Sequence, residues 1–243
     1  MRSSVLFSSL LFANSALGAP LDGVLSRRKE VSHDSLTPLA QTVQDNAVGK
    51  AIDRFNPLLQ IVSGCQPYTA ANDAGDTSGG LKPTGSSTGG CKDNSKGQTY
   101  ARGAKHGDKF AIMYAWYFPK DQPTDGVPVG SHRHDWESIV VWINDPEVAE
   151  PTILGGAASG HGEFKKVENV PKEGSRVKVE YFNQGFLNHE LQFSQLTGRV
   201  YPVVDWDAMP KPMQDALNNT DFGSANVPFK DENFTRNLDK ASI

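Results

Sequence analysis

The fold is decided by a continuous apolar run near the middle of the chain, Phe110-Ala111-Ile112-Met113-Tyr114-Ala115-Trp116-Tyr117-Phe118. Pro119 ends the run, because proline cannot donate a hydrogen bond to a neighbouring strand. Strand alternation places the larger side chains on one face, namely Phe110, Ile112, Tyr114, Trp116 and Phe118. A two-stranded ribbon is not stable by itself in water, so a second sheet or helices must cover this aromatic face.

A second strand is predicted at residues 137–143, directly after a cluster of polar side chains. Side chains alternate between the faces of a strand, so Asp135 and Glu137 share a face with Ile139, while His134 and Trp136 point the other way. Two carboxylates on a core-facing register need a partner, because burying an unpaired carboxylate costs several kcal/mol.

A divalent cation is the partner best able to neutralise two buried carboxylates at once. Asp121 follows the first strand, and residues 120–129 form a Pro/Gly turn that leads to His132. The two strands therefore place Asp121 and the group 132–137 at adjacent ends of one sheet. We expect Asp121 and His132 to complete the shell of the cation.

The rest of the chain predicts a mainly β protein, a β-sandwich with a few short peripheral helices. A further strand is expected around Val177–Tyr181, ending at residue 183, and residues 150–164 are predicted to be a Gly/Ala-rich loop that carries His161. Helices are predicted from Thr37 to about Phe55 and at 209–217, and a last helical turn at 234–238.

The amino-terminal residues predict an exported protein. Residues 1–18 have a basic start, an apolar run and small residues at a cleavage site, as in a secretory signal peptide. Residues 19–34 are predicted to be a flexible leader, in which Arg27-Arg28 is either a processing site for a secretory-pathway protease or part of a solvated tail, and residues 35–243 are predicted to be a single domain. The net charge of −4 and the absence of a basic cluster argue against a nucleic-acid partner.

The two cysteines of a secreted chain predict one disulfide, Cys65–Cys91. The segment between them contains six glycines, at positions 75, 79, 80, 85, 89 and 90, and closing it removes roughly 3.5 kcal/mol of unfolded-state entropy. Asn218 and Asn233 begin N-glycosylation sequons, which matter only in an exported chain.

The polar side chains at 132–137 have two alternative interpretations besides a site for a hard cation. A His-rich loop is often only a hydrogen-bonded turn. A zinc hydrolase is the second alternative, but zinc prefers several His or Cys ligands, whereas three carboxylates with one or two histidines suit Mg²⁺ or Ca²⁺. A serine nucleophile is poorly supported, because the Gly-x-Ser-x-Gly string at Gly85-Ser86-Ser87-Thr88-Gly89 lies in the Gly-rich segment between the cysteines and not at a strand-to-helix turn.

Long strings around this site resemble a known family, namely Ala111-Ile112-Met113-Tyr114-Ala115-Trp116-Tyr117-Phe118-Pro119-Lys120-Asp121 followed by His132-Arg133-His134-Asp135-Trp136-Glu137. They closely resemble the central motifs of the necrosis- and ethylene-inducing peptide 1-like proteins. The segment Asp221–Phe234 looks like the closing motif of that family, and two cysteines match its one-disulfide subgroup. Ser131 is a departure, because the family usually has glycine directly before the first histidine.

The resemblance implies a fold similar to that of the actinoporins and certain fungal lectins. It implies a secreted cytolysin, a monomer and not an enzyme, that binds glycosyl inositol phosphorylceramide of plant plasma membranes and triggers plant immune responses. A non-cytolytic glycan- or lipid-binding member of the same fold is the alternative. Carried over by position, the metal ligands fall on Asp121, His132, Asp135 and Glu137. His134, Arg133, Trp206 and His161 are the candidates for contact with the head group.

Overall fold

The computed structural model describes residues 29–127, 129–183 and 188–243 of the chain. The predicted signal peptide, most of the predicted leader and the dibasic pair Arg27-Arg28 lie outside these residues. The strands are β1 Glu30–Val31, β2 Leu58–Ile61, β3 Thr77–Ser78, β4 Thr99–His106, β5 Lys109–Asp121, β6 His132–Ile143, β7 Ile153–Gly160, β8 Glu163–Val167, β9 Lys172–Glu173, β10 Arg176–Asn183, β11 His189–Phe193 and β12 Val203–Asp205. The helices are α1 Ala47–Phe55, α2 Lys211–Asn219 and α3 Phe234–Ala241, with 3-10 turns at Asn94–Lys96 and Trp206–Ala208.

Two sheets form the body of the protein. The larger sheet has the strand order β12-β4-β5-β6-β7-β8, and the smaller has β11-β10-β2 with β9 paired to β10. The sheets pack face to face, and the rings of Phe118 on β5 and Tyr181 on β10 stack at 3.8 Å between them. The prediction of a mainly β protein with few short helices is confirmed.

The central strands are β5 and β6, an antiparallel pair that joins Phe110 to Ile143 at one end and Asp121 to His132 at the other. Both strands are buried over most of their length, because the second sheet covers one face and helices and loops cover the other. Tyr114 donates from its hydroxyl to the Ile52 carbonyl on α1, 2.8 Å away. On the opposite side the Trp142 indole donates to the Ala241 carbonyl on α3 at 2.9 Å.

The predicted helix at 37–55 is wrong in its first half, since α1 begins only at Ala47. Asn46 caps it by accepting a hydrogen bond from the Gly49 N–H at 2.8 Å. The preceding residues are not helical, and Thr42 exchanges backbone hydrogen bonds with the segment of β12 instead: its N–H donates to Val203 at 2.9 Å and its carbonyl accepts from Asp205 at 2.8 Å. Long-range backbone pairing thus overrides the apolar spacing of this segment.

The predicted loop at 150–164 is also wrong, because it contains β7 and the start of β8. Its small residues permit close approach of the second sheet. A Cβ added at Gly156 would lie 2.4 Å from the Phe193 ring, and one at Gly160 would lie 2.4 Å from the Glu190 carboxylate. The Gly/Ala composition therefore reflects tight packing between sheets rather than a loop.

The predicted leader is wrong for residues 29–34, which are attached to the body of the protein. β1 pairs in parallel with β3. His33 is buried and its Nε2 lies 2.7 Å from the Gly90 carbonyl. In the carboxyl-terminal half, α2 begins at Lys211 and α3 extends to Ala241, a full helix where only a turn was expected.

The disulfide Cys65–Cys91 is present, as predicted. It closes a segment that crosses several parts of the sheet. Tyr68 N donates to the Tyr117 carbonyl at 2.8 Å, and Leu81 N donates to the Pro119 carbonyl at 2.8 Å. No helix in the described residues is long and apolar enough to cross a membrane.

Candidate functional site

A compact acidic cluster lies where β5 ends and β6 begins. Asp121 is the last residue of β5 and faces His132, the first residue of β6. Asp135 joins them from further along β6, and one donor atom from each of the three side chains lies within 4.8 Å of the others. Asp121 and Asp135 are buried and His132 is half-buried. The structure therefore brings together three of the predicted ligands.

A break in strand alternation makes this cluster possible. Three positions separate His132 from Asp135, so in a regular strand they would point to opposite faces. His134 adopts φ +60°, a conformation that non-glycine residues rarely take in a strand. Gly80 lies against the side chains of both His134 and Arg133, since a Cβ placed on Gly80 would contact both. These two neighbouring side chains therefore point to the same side of β6. The break turns His132 to the side of Asp135.

Ser131 does not strain the turn that precedes the cluster. Gly130 takes the left-handed conformation there, with φ +77°, and Ser131 is outside the positive-φ region. The Ser131 hydroxyl donates to the Val127 carbonyl at 3.1 Å and closes the turn. The departure from the family pattern at this position therefore leaves His132 in place.

Asp121 is held by His189, a residue on β11. The His189 Nδ1 lies 2.6 Å from Asp121 Oδ1, and the His189 backbone N–H donates to Oδ2 at 3.0 Å. Both side chains are 1% exposed. The histidine ring stacks on Tyr181 at 4.7 Å, and the Tyr181 hydroxyl donates to Asp135 Oδ2 at 2.8 Å. The second sheet thus orients both carboxylates.

His132 points one ring nitrogen, Nε2, towards Asp121 in the cluster. Its Nδ1 lies 2.6 Å from the His134 carbonyl oxygen. Because a carbonyl oxygen only accepts, Nδ1 carries a hydrogen, while Nε2 lies 3.8 Å from Asp121 Oδ2 and 3.3 Å from the Asn188 side-chain nitrogen. A histidine whose Nδ1 is hydrogen-bonded to a carbonyl oxygen can offer Nε2 to a metal ion, which is the arrangement typical of a metal-binding histidine.

Glu137 lies deeper on the same face of β6. It is 8% exposed, and its Oε2 accepts a hydrogen bond from the Ser159 hydroxyl on β7. Burial raises its pKa well above the ordinary value, and the Asp135 carboxylate adds to the rise. The structure places Glu137 beside the three-residue cluster and not within it.

The electrostatics of the cluster favour a bound cation. Burial, followed by the neighbouring Asp121 charge, raises the pKa of Asp135 to about 7. A divalent cation would relieve both causes, because it replaces lost hydration and offsets the like charge. Two carboxylates and one imidazole nitrogen, with Glu137 near, are donors that fit a hard divalent ion better than a thiol- or His-rich zinc site.

The cluster lies in an open cavity of about 260 Å³. The other walls come from the β7–β8 turn and from the closing segment of the chain, residues 221–234. They include Ser159, His161, Asn188 and Asn226. His161 is 47% exposed and its Nε2 lies 3.4 Å from Glu190. A ligand in this cavity would contact the cluster and His161 together.

The other head-group candidates lie outside the cavity lining. His134 is buried against Tyr117, whose hydroxyl is 2.6 Å from Nδ1, and burial lowers the pKa of His134 to about 4. Arg133 donates to the Gly79 carbonyl. Trp206 is 2% exposed and packs between Phe229 and the Arg102 guanidinium, so its surroundings are those of a core residue. Of the predicted set, His161 alone opens into the cavity.

The two sequons differ in access. Asn233 is 4% exposed and its side-chain N–H donates to the Val227 carbonyl at 2.9 Å. A glycan at Asn233 is therefore incompatible with this packing, so Asn233 is corrected as a glycosylation candidate although the sequon is present in the sequence. Asn218 is half-buried. Its side-chain N–H donates to Asp231 Oδ2 at 2.8 Å, and its Oδ1 accepts from the Asp231 backbone N–H at 3.0 Å. Glycosylation of Asn218 would replace one of these bonds.

Three residues that contact the site carboxylates are not predicted as site residues by any sequence pattern. His189, Tyr181 and Ser159 come from other strands and contact Asp121, Asp135 and Glu137 respectively. No local spacing joins them to the motif at 132–137. Alternation along β10 was the one available signal, because it placed Tyr181 on the same face as Val177 and Val179.

The family model described as necrosis inducing protein (NPP1) matches residues 49–241, which is most of the described chain. The chain belongs to the necrosis-inducing protein family. Among curated members, it is 43% identical over 215 residues to NLP effector protein 2 of Phytophthora capsici, covering 87% of this chain and 86% of that protein.

Solved structures of this family agree with the fold. A structure of NLPPya in complex with mannosamine is 41% identical, with a TM-score of 0.81, and the match covers 88% of this chain and 99% of that one. A structure of the non-toxic HaNLP3 protein is 41% identical, also with a TM-score of 0.81, and the match covers 86% of this chain and 97% of that one. Members of the necrosis-inducing family with this fold therefore include a protein that is not toxic.

Proposed function

We propose that this member of the necrosis-inducing family is a secreted effector that binds glycosyl inositol phosphorylceramide at plant plasma membranes and permeabilises them. The main support for this proposal is the cluster of Asp121, His132 and Asp135, which lies in an open cavity. These residues would hold Mg²⁺ or Ca²⁺, with Glu137 as a further ligand and water completing the shell. Recognition by plant immune receptors would follow exposure of the protein to the host.

The bound cation would supply a positive centre for sugar hydroxyls or a lipid phosphate. The chain itself contributes His161 and Asn226 as further polar groups in the wall of the cavity. Mannosamine in the NLPPya complex supports an amino-sugar-like ligand for this fold. Binding and orientation of a head group suffice for this role, so we propose a monomeric binder and not an enzyme.

A second candidate function is non-cytolytic binding of the same ligand. The similarity to the non-toxic HaNLP3 protein favours this candidate, because fold and family are shared by a protein without toxicity. A zinc hydrolase is favoured less, since the cluster offers one histidine and its other donors are carboxylates.

Dye release from vesicles separates these functions. Vesicles containing glycosyl inositol phosphorylceramide should leak in the presence of Ca²⁺ or Mg²⁺ and should stay intact with a chelator or without the sphingolipid. The Asp135→Asn variant should bind and lyse at least tenfold less, whereas Arg133→Lys, a matched change outside the cavity, should stay active. Binding without leakage would establish the second candidate, and hydrolysis of the lipid dependent on Zn²⁺ would establish the third.

A further inference from the structure

A docked strand directly follows the dibasic pair Arg27-Arg28 in the sequence. The Lys29 carbonyl accepts a hydrogen bond from the Thr77 N–H at 2.9 Å, and the Val31 carbonyl accepts one from the Gly79 N–H at 2.8 Å. His33 is buried and its ring lies 5.4 Å from that of Tyr68. The segment from Lys29 onward is therefore attached to the body of the protein by its own contacts.

Asp76 is the residue that meets the backbone nitrogen of Lys29. The Lys29 N–H donates to Asp76 Oδ1 at 3.2 Å, and the Asn72 side-chain N–H donates to Oδ2 at 3.3 Å. Asn72 Oδ1 in turn accepts from the Asp76 N–H at 2.8 Å, which orients the turn. In the part of the chain that the structure describes, the Asp76 carboxylate is thus met by neutral N–H donors.

We propose that a secretory endoprotease hydrolyses the Arg28–Lys29 bond and that the new α-ammonium of Lys29 forms an ion pair with Asp76. Water supplies the hydroxyl that makes Arg28 a free carboxylate, and the Lys29 nitrogen leaves as an amine that takes up a proton. The nitrogen already lies beside Oδ1, so no movement of the strand is needed. A neutral hydrogen bond becomes a charge-assisted one, which is roughly twice as strong.

Three features support this assignment. Lys29 and Glu30 are exposed, so the chain on the carboxyl side of the bond is accessible to a protease. The pair Arg27-Arg28 is the kind of sequence that dibasic-specific proteases of the secretory pathway recognise. The carboxylate of Asp76 stands at the one backbone nitrogen that such a cut would convert into a cation.

The first test is the amino terminus of the exported protein. The full 243-residue chain is expressed in a secretory host that has a dibasic-specific endoprotease and in the same host without it. Intact mass and amino-terminal sequencing should show Lys29 as the first residue in the first host only. Secretion of the protein with Arg27-Arg28 still attached in the first host would overturn the proposal.

The second test is thermal melting of the processed and unprocessed forms. Asp76→Asn should lower the Tm of the processed form by about 1–3 °C and that of the unprocessed form by less. The difference should vanish near pH 10, where the α-amine is neutral, and shrink at high salt. Asp73→Asn, at an exposed carboxylate of the same turn, is the matched control and should change neither form. An equal effect of Asp76→Asn on both forms would overturn the ion pair, and neither readout depends on membrane activity.

Discussion

The two carboxylates of the cluster, Asp121 and Asp135, have different partners. Asp121 is paired with His189 at 2.6 Å and accepts a backbone hydrogen bond as well. Asp135 accepts from the neutral Tyr181 hydroxyl and lies near Asp121, so burial and repulsion raise its pKa to about 7. Without a cation, ionisation of Asp135 opposes folding, as does that of Glu137, whose pKa is raised by burial as well.

The first prediction follows from the sign of that shift. The folded-state pKa of Asp135 is raised, so between its ordinary value and about 7 the folded state holds a proton that the unfolded state has lost. Stability from this group therefore falls as pH rises through that window. In a chelator, we expect the Tm of the wild type to be lower at pH 8 than at pH 6.5. Differential scanning calorimetry at the two pH values measures this.

Asp135→Asn is the control for this pH dependence. The amide cannot ionise, so the variant should lose less stability between pH 6.5 and pH 8 than the wild type does, and saturating Ca²⁺ should flatten the wild-type profile in the same way. His134 acts in the opposite direction at lower pH, because its pKa is lowered to about 4 and acid favours the unfolded chain. Equal pH dependence in wild type and variant would contradict the assignment to Asp135.

At the scale of elements, the left-handed residue in β6 sets the geometry of the site. His134 at φ +60° places Arg133 and itself on one side of the strand and leaves His132 with Asp135 on the other. A non-glycine residue in this region costs of order 1–3 kcal/mol. Contacts of the His134 ring with Tyr117 and with Phe222, 5.2 Å away edge-on, offset that cost.

The second prediction compares two replacements of His134. His134→Gly accepts positive φ without strain, so cation affinity should be kept although packing against Tyr117 is lost. His134→Val disfavours positive φ strongly, and the strand should return to regular alternation, which moves His132 away from Asp135. We expect at least a tenfold weaker affinity for Ca²⁺ or Mg²⁺ in the valine variant by isothermal titration calorimetry. Equal affinities in the two folded variants would show that the break does not position His132.

At the scale of the whole molecule, an aromatic cluster joins the closing segment of the chain to the central sheet. Trp136 is 7% exposed and its ring lies 5.4 Å from both Tyr100 and Tyr117. Phe222 and Phe229 meet it edge-on at 5.8 and 5.6 Å. These contacts hold the segment that supplies Ser224, Ala225 and Asn226 to the wall of the cavity.

The third prediction concerns this connection. Trp136→Ala leaves a large cavity under the closing segment and should lower the free energy of unfolding by about 3–5 kcal/mol. Membrane activity should then be lost through unfolding rather than through loss of the cation. Urea unfolding, together with dye release at a temperature where the variant is folded, distinguishes the two causes.

Trp136→Phe is the matched control. Within the described residues the buried Trp136 Nε1 has no hydrogen-bond partner, so phenylalanine removes an unpaired donor while keeping an aromatic ring. We expect it to recover more than half of the stability lost in the alanine variant. If the phenylalanine variant loses as much stability as the alanine variant, the contribution of Trp136 depends on its indole N–H and not on its aromatic packing.

Local patterns in the amino-acid sequence were enough to predict the two central strands, the disulfide and the family. Residues 110–118 and 137–143 alternate strongly enough to predict strands, and the two cysteines could pair only with each other in an exported chain. The donor residues Asp121, His132 and Asp135 were also predicted, because a local motif carries them on two consecutive strands. Signals of this kind are local, and local backbone preference is what a sequence pattern reports.

Which of these residues act together depends on contacts between segments that are distant in the sequence. His189, Tyr181 and Ser159 reach the cluster from other strands, and the segment before α1 is not helical because the backbone of Thr42 bonds to β12. The same holds for β7, whose glycines are required by the Phe193 and Glu190 side chains of the facing sheet. Burial likewise removed Trp206 and Asn233 from the exposed candidates. The physical reason is that packing and burial depend on contacts between distant residues, which no spacing along the chain encodes.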